Sequence, residues 1–145
     1  MKSRKPRIRR EILATMAATM LLAAGFVPAF PQAMSPSVAV ADQPAADARV
    51  VIAKVVSRGP GFLVVHNQTS DGKVGPVIGW AAVRDGENPG VVVALDATKV
   101  TSVLYAMLHV DAGVVGAYEF PGADVPAKID GMMVNPSFKV SVSGY

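Results

Sequence analysis

The sequence predicts an all-β fold built as an antiparallel two-sheet sandwich. Three observations lead there. From Arg49 onward, short runs of β-branched residues are separated by turn signals, no apolar pattern holds helical spacing for three turns, and apolar and polar positions alternate along several runs.

The elements follow in order. Strands are expected over Arg49 to Val56, Phe62 to Gln68, Val77 to Val83, Val91 to Leu95, Ser102 to Val110, Ala117 to Phe120, Lys128 to Val134 and Phe138 to Ser143. The chain reverses at Arg58-Gly59-Pro60-Gly61, Ser70-Asp71-Gly72-Lys73, the Asp85 to Gly90 segment and Pro121-Gly122-Ala123-Asp124. Gly permits positive φ there, Pro presets φ, and Asp or Asn bonds the backbone that follows it. Asp130-Gly131 is the tightest hairpin signal. In the last strand Phe138, Val140 and Val142 share one face, and Lys139, Ser141 and Ser143 the other. In Ser102 to Val110, Leu104, Ala106, Leu108 and Val110 alternate with Val103, Tyr105, Met107 and His109, so both faces are apolar in part. That suits a central strand.

Short strands at this spacing favour an immunoglobulin-like or cupredoxin-like sandwich, with an open barrel as the alternative. A chain of about 100 residues buries somewhat over 60% of its unfolded surface, enough to fold without disulfides. The sequence has no Cys, which excludes disulfides, thiolate metal sites, cysteine nucleophiles and a lipidated N-terminal cysteine.

The N-terminal forty residues read as an export address. Lys2, Arg4, Lys5, Arg7, Arg9 and Arg10 precede the apolar run Ile12 to Phe26, and a Pro, Ala and Ser mixture ends in Ala39-Val40-Ala41. This is the order of a secretory signal peptide, whose helix would precede the sandwich. The division expected is a signal peptide over 1–41, a flexible leader over 42–48 and one β-sandwich domain over 49–145. A cut after Ala29 is the alternative site, and an uncleaved anchor over Ile12 to Phe30 is the competing reading. Arg9-Arg10 also resembles a twin-arginine signal, although Ile8 stands in place of the usual Ser or Thr. The formal charge of +3 belongs to this address: without its six cations and Glu11 the chain keeps 8 basic and 10 acidic residues. The remainder therefore has no electrostatic footprint for nucleic acid and, once cleaved, no membrane segment.

Four blocks occur in one order: Phe62-Leu63-Val64-Val65-His66-Asn67, Gly75-Pro76-Val77-Ile78-Gly79-Trp80, Leu104 to Asp111, and Gly116-Ala117-Tyr118-Glu119-Phe120. Over about Arg49 to Val142 the chain resembles a domain-of-unknown-function family of exported β domains in archaea and bacteria. The resemblance implies a secreted β domain and no known activity. It also implies that the stretch after the third block looks like a calcium loop in relatives, Asp-x-Asn-x-Asn-x-x-Tyr-Asp-Phe. Here Gly113 and Val115 stand where side-chain oxygens would be, so that ligand set is incomplete.

His66 and His109 are the only histidines, each in an apolar strand, and Met107 shares a face with His109. Two imidazoles and a thioether suit Cu(I), which makes these three the metal candidates of a copper-handling alternative; without Cys a blue-copper centre is excluded. The plain alternative is that each ring is structural, bonded to backbone or to Asp111 or Glu119. Asp111 and Glu119 are a second tentative site, for a cation in a turn; the simpler use is a turn cap and a solvated strand residue. Trp80, Tyr105, Tyr118 and Phe120 could form a recognition surface, although Trp80 reads as core filler. Asn67-Gln68-Thr69 matches a glycosylation acceptor. No serine sits in a Gly-x-Ser-x-Gly elbow, and no loop cradles phosphate, so a small secreted hydrolase is only the second alternative.

The expectation is an exported protein, periplasmic, cell-surface or extracellular. It is not an enzyme, needs no cofactor unless copper, and has a binding or structural role toward an envelope or extracellular ligand that the sequence does not identify.

Overall fold

The computed structural model describes residues 34–141, and these form an all-β sandwich. The expected signal-peptide helix and the last residues of the final strand lie outside the described residues. One sheet of three strands runs β1 (Ser37–Ala39), β3 (Arg49–Ser57), β6 (Gly86–Ala94). The other has the order β2 (Gln43–Pro44), β10 (Ser137–Ser141), β7 (Val103–Val110), β4 (Gly61–Gln68), β5 (Val74–Val83). A separate hairpin joins β8 (Lys128–Ile129) to β9 (Met132–Met133).

The alternation read in the sequence sets the core. Val50, Ile52 and Val55 of β3 and Val93 of β6 meet Leu63 and Val65 of β4, Leu104, Ala106 and Leu108 of β7, and Phe138 and Val140 of β10. Burial of such side chains contributes about 1.5–3 kcal/mol each and is the main stabilising term. β7 lies between β10 and β4, the central place that its two apolar faces required. Asp130 and Gly131 both take positive φ in the hairpin turn, as a tight Asp-Gly reversal needs.

Several expectations change. Lys128 to Val134 is the β8–β9 hairpin and not one strand. The chain reverses within Arg84-Asp85, and Gly86 to Gly90 already belong to β6; Pro89 is tolerated because β6 is an edge strand with no partner on its other side. Ala117 to Phe120 is not a strand but part of the connection between β7 and β8. Residues 42–48, expected as a flexible leader, are held instead: Gln43–Pro44 pairs in parallel with Val140 and Ser141, and Ala46–Ala48 is a 3-10 turn. The Gln43 side chain also closes both hydrogen bonds of Val51, donating to its carbonyl and accepting its N–H. Ser37–Ala39, inside the expected signal peptide, pairs antiparallel with Lys54 to Val56, and Val38 packs on the core.

Candidate functional site

The outer face of the five-stranded sheet carries a second cluster. The antiparallel register pairs Phe62 with His109, Val64 with Met107 and His66 with Tyr105. Phe62, Val64 and His66 therefore lie on one face of β4 beside His109, Met107 and Tyr105 of β7. All but Tyr105 are buried. What buries them is the 111–127 connection, which folds back over the sheet. Val110 N–H donates to Val125 O, Ala127 N–H donates to Leu108 O, and His109 bridges Pro126.

Three carboxylates knit this roof. Asp111 accepts the Gly116 N–H at 2.7 Å, Glu119 accepts that of Val114 at 2.6 Å, and Asp124 accepts those of Glu119 at 2.6 Å and Ala112 at 3.0 Å. Asp124 is 0% exposed. The N–H of Glu119, followed by that of Ala112, holds its carboxyl below the usual range, although burial opposes this. Within Ala117 to Phe120, the N–H of Glu119 is taken by Asp124 and that of Ala117 by the Val114 carbonyl, so the segment is tied into turns instead of a strand. A side chain at position 113 would collide with the Glu119 carboxylate, so Gly113 is what lets Glu119 reach Val114.

From the roof, Tyr118 and Phe120 point to the cluster. Tyr118 packs 5.3 Å from Phe62 and 5.1 Å from Trp80, and Phe120 stands edge-on to His109 at 4.8 Å, between ring centroids. Trp80 does not fill the core as expected: it is 45% exposed on this outer face opposite Val64, and a β-bulge between Gly79 and Val77 breaks the alternation of β5 so that Ile78, two residues away, turns into the core instead. Tyr105 is engaged otherwise, its hydroxyl donating to Gly72 O and accepting from Gln68.

The rings of His66 and His109 come together over the Val64–Met107 pair, with centroids 6.2 Å apart and planes 26° apart. His66 Nδ1 lies 2.8 Å from Gly75 O, and His109 Nδ1 lies 2.9 Å from Asp124 O. A carbonyl only accepts, so each Nδ1 carries the proton and each neutral ring keeps its lone pair on Nε2. Among the described residues both Nε2 atoms are buried with no partner, as is the Tyr118 hydroxyl. Burial pushes both imidazoles below their usual pKa, against the backbone carbonyl bonds.

The two candidate sites read from sequence thus fare differently. The structure brings His66 and His109 together and places Met107 on the same face between them. Asp111 caps a turn, and Glu119 lies in the roof instead of on a strand; each spends an oxygen on an N–H. Among the described residues no three carboxylates or imidazoles converge as a metal-binding group. Asp124, which fastens the roof and orients His109, was legible only as part of a turn signal.

These features define a class: an all-β domain whose outer sheet face is roofed by a carboxylate-tied loop over a histidine pair. The chain belongs to the family described as Domain of unknown function (DUF7282), whose model matches residues 36–141. No curated protein and no solved structure matches it.

Proposed function

We propose that this is an exported, non-catalytic β-sandwich domain that acts by binding in the cell envelope or outside the cell. The observation that carries the reading is the state of the histidines. Each commits its Nδ1–H to a backbone carbonyl, neither makes a bond to a serine hydroxyl or a carboxylate, and both lone pairs are enclosed. A hydrolytic base needs its lone pair within reach of a nucleophile's proton and its other nitrogen oriented toward the reaction. Enclosed lone pairs on a rigid sheet instead suit the holding of a small ligand.

Export is supported by the six cations and the apolar run that precede the family match at residue 36. The pairing of Ser37–Ala39 with β3 favours the cut after Ala29 over the cut after Ala41, because only the former keeps β1 in the sheet. Fractionation of expressing cells, intact-mass measurement and an ester and peptide turnover panel test the reading. Processed protein outside the cytoplasm without turnover is expected; an unprocessed cytoplasmic chain, or turnover lost on changing His109, would overturn it.

A further inference from the structure

The geometry points to a site for one soft monovalent metal ion, Cu(I) in class, held between the Nε2 atoms of His66 and His109 with the Met107 thioether beside it. The inference rests on the reading of the domain as a binding module and gives that module its ligand.

Four observations carry it. His66 is 5% and His109 0% exposed, yet Nε2 of each is unpartnered. A buried lone pair without a donor is costly, and two in one cluster indicate a shared occupant. The ring separation of 6.2 Å is the second observation. Two metal–nitrogen bonds of about 2.0 Å, with each nitrogen about 1.1 Å from its ring centre, span about 6 Å, so the ring separation matches what one ion shared by the two Nε2 atoms requires. With both protons on Nδ1, the two Nε2 atoms are acceptors only and cannot hydrogen-bond each other.

The third observation is how the rings are held. Ligating histidines ordinarily donate the second nitrogen to a carbonyl or carboxylate, which fixes tautomer and orientation; Gly75 O and Asp124 O do this here. The fourth is the surroundings. The cluster walls are Phe62, Val64, Phe120 and Tyr118, whose buried hydroxyl is also unpartnered, and the soft donor on the same face is the sulfur of Met107, which is 4% exposed. Two neutral nitrogens and a thioether are soft donors in low number, which favours Cu(I); Ca²⁺ and Mg²⁺ demand oxygen, and structural Zn²⁺ takes four ligands. Among the described residues Asp124 is the single fully buried carboxylate, its backbone holds His109, and one negative charge balances one positive charge. The roof over residues 111–127 must open for entry, which makes it the gate of the site.

The test is anaerobic titration of the exported protein with Cu(I) against a chromophoric chelator. One ion per chain with a dissociation constant far below micromolar is expected. Loss of a ligand in His66→Gln or His109→Gln should weaken binding by at least about 100-fold, more than the loss of an outer partner costs. Met107→Leu should produce a smaller loss. Because the histidine variants could unfold, a second measurement uses the unaltered chain: nitrogen NMR with Ag(I), a diamagnetic substitute, should move both Nε2 resonances. Retention no tighter than micromolar would overturn the site. So would tight binding with unmoved Nε2 resonances, which would put the ion on the exposed Met132 and Met133. Either failure, with export intact and no turnover, leaves the binding-domain reading standing; turnover would remove that reading first.

Discussion

Asp124 and His109 are coupled through both ends of one residue. The Asp124 carbonyl accepts the His109 Nδ1–H, while its carboxylate accepts the N–H groups of Glu119 and Ala112. The same residue therefore fastens the roof and orients the ring beneath it. Change at Asp124 should be felt at both places.

Asp124→Asn keeps the shape but presents a donor to one of the two N–H groups. The roof should loosen, lowering the melting temperature by at least about 5 °C. Trp80, the one tryptophan, packs on Tyr118 and reports the event: its emission should shift to the red. Unchanged emission and melting would mean that the carboxylate does not hold the roof.

Acid should act through the histidines first. Both have lowered folded pKa values, so their contribution is complete above the ordinary value of about 6.5 and is lost as pH falls through the folded values. Thermal melts of the metal-free protein should be level from about pH 8 to about 6.5 and decline below it. Asp124, also lowered, adds a further decline as pH falls below the carboxylate range. Melting that rises between about pH 6.5 and 5 would contradict buried, neutral imidazoles.

Alkali acts through Tyr118. Burial raises its hydroxyl to about 12, with the Asp124 charge adding to the shift. A raised folded value means stability that is complete below the unfolded pKa of about 10 and lost as pH rises through about 12. Spectrophotometric titration should show one tyrosine ionising near 12 together with loss of the Trp80 contact. Ionisation of every tyrosine near 10 would contradict the packed roof.

The N-terminal boundary is open to a direct comparison. A chain beginning at Asp42 lacks β1, leaves β3 with β6 as its one partner, and loses Val38 from the core. It should melt at least roughly 5 °C below a chain beginning at Phe30. Equal melting temperatures would show that β1 adds nothing.

Much of the sandwich was legible because burial writes a period into the sequence. Leu104, Ala106 and Leu108 against Tyr105, Met107 and His109 place β7 in the middle of a sheet, and Asp130-Gly131 marks its turn without help from elsewhere. The histidine pair was legible as composition: two rings and one methionine, all on strands. Their closeness was not, since it depends on the β4–β7 register. The roof was least legible. Tyr118 and Phe120 alternate as in a strand, and both do point to the cluster, but the Glu119 N–H goes to the Asp124 carboxylate and the Ala117 N–H to a turn carbonyl, an arrangement that leaves no periodic trace. The sequence likewise marks Trp80 as apolar but not the bulge in β5 that decides its face, and it marks Asp124 as a turn residue when that residue is fully buried.

The two enclosed imidazoles hold bare Nε2 lone pairs in one cluster, the property on which a shared occupant depends. Imidazole nitrogen NMR of the metal-free protein at neutral pH tests it with only two histidines to assign. Nδ1 should be protonated and Nε2 bare in both rings. A proton on Nε2 of either ring, or imidazolium at neutral pH, would contradict it.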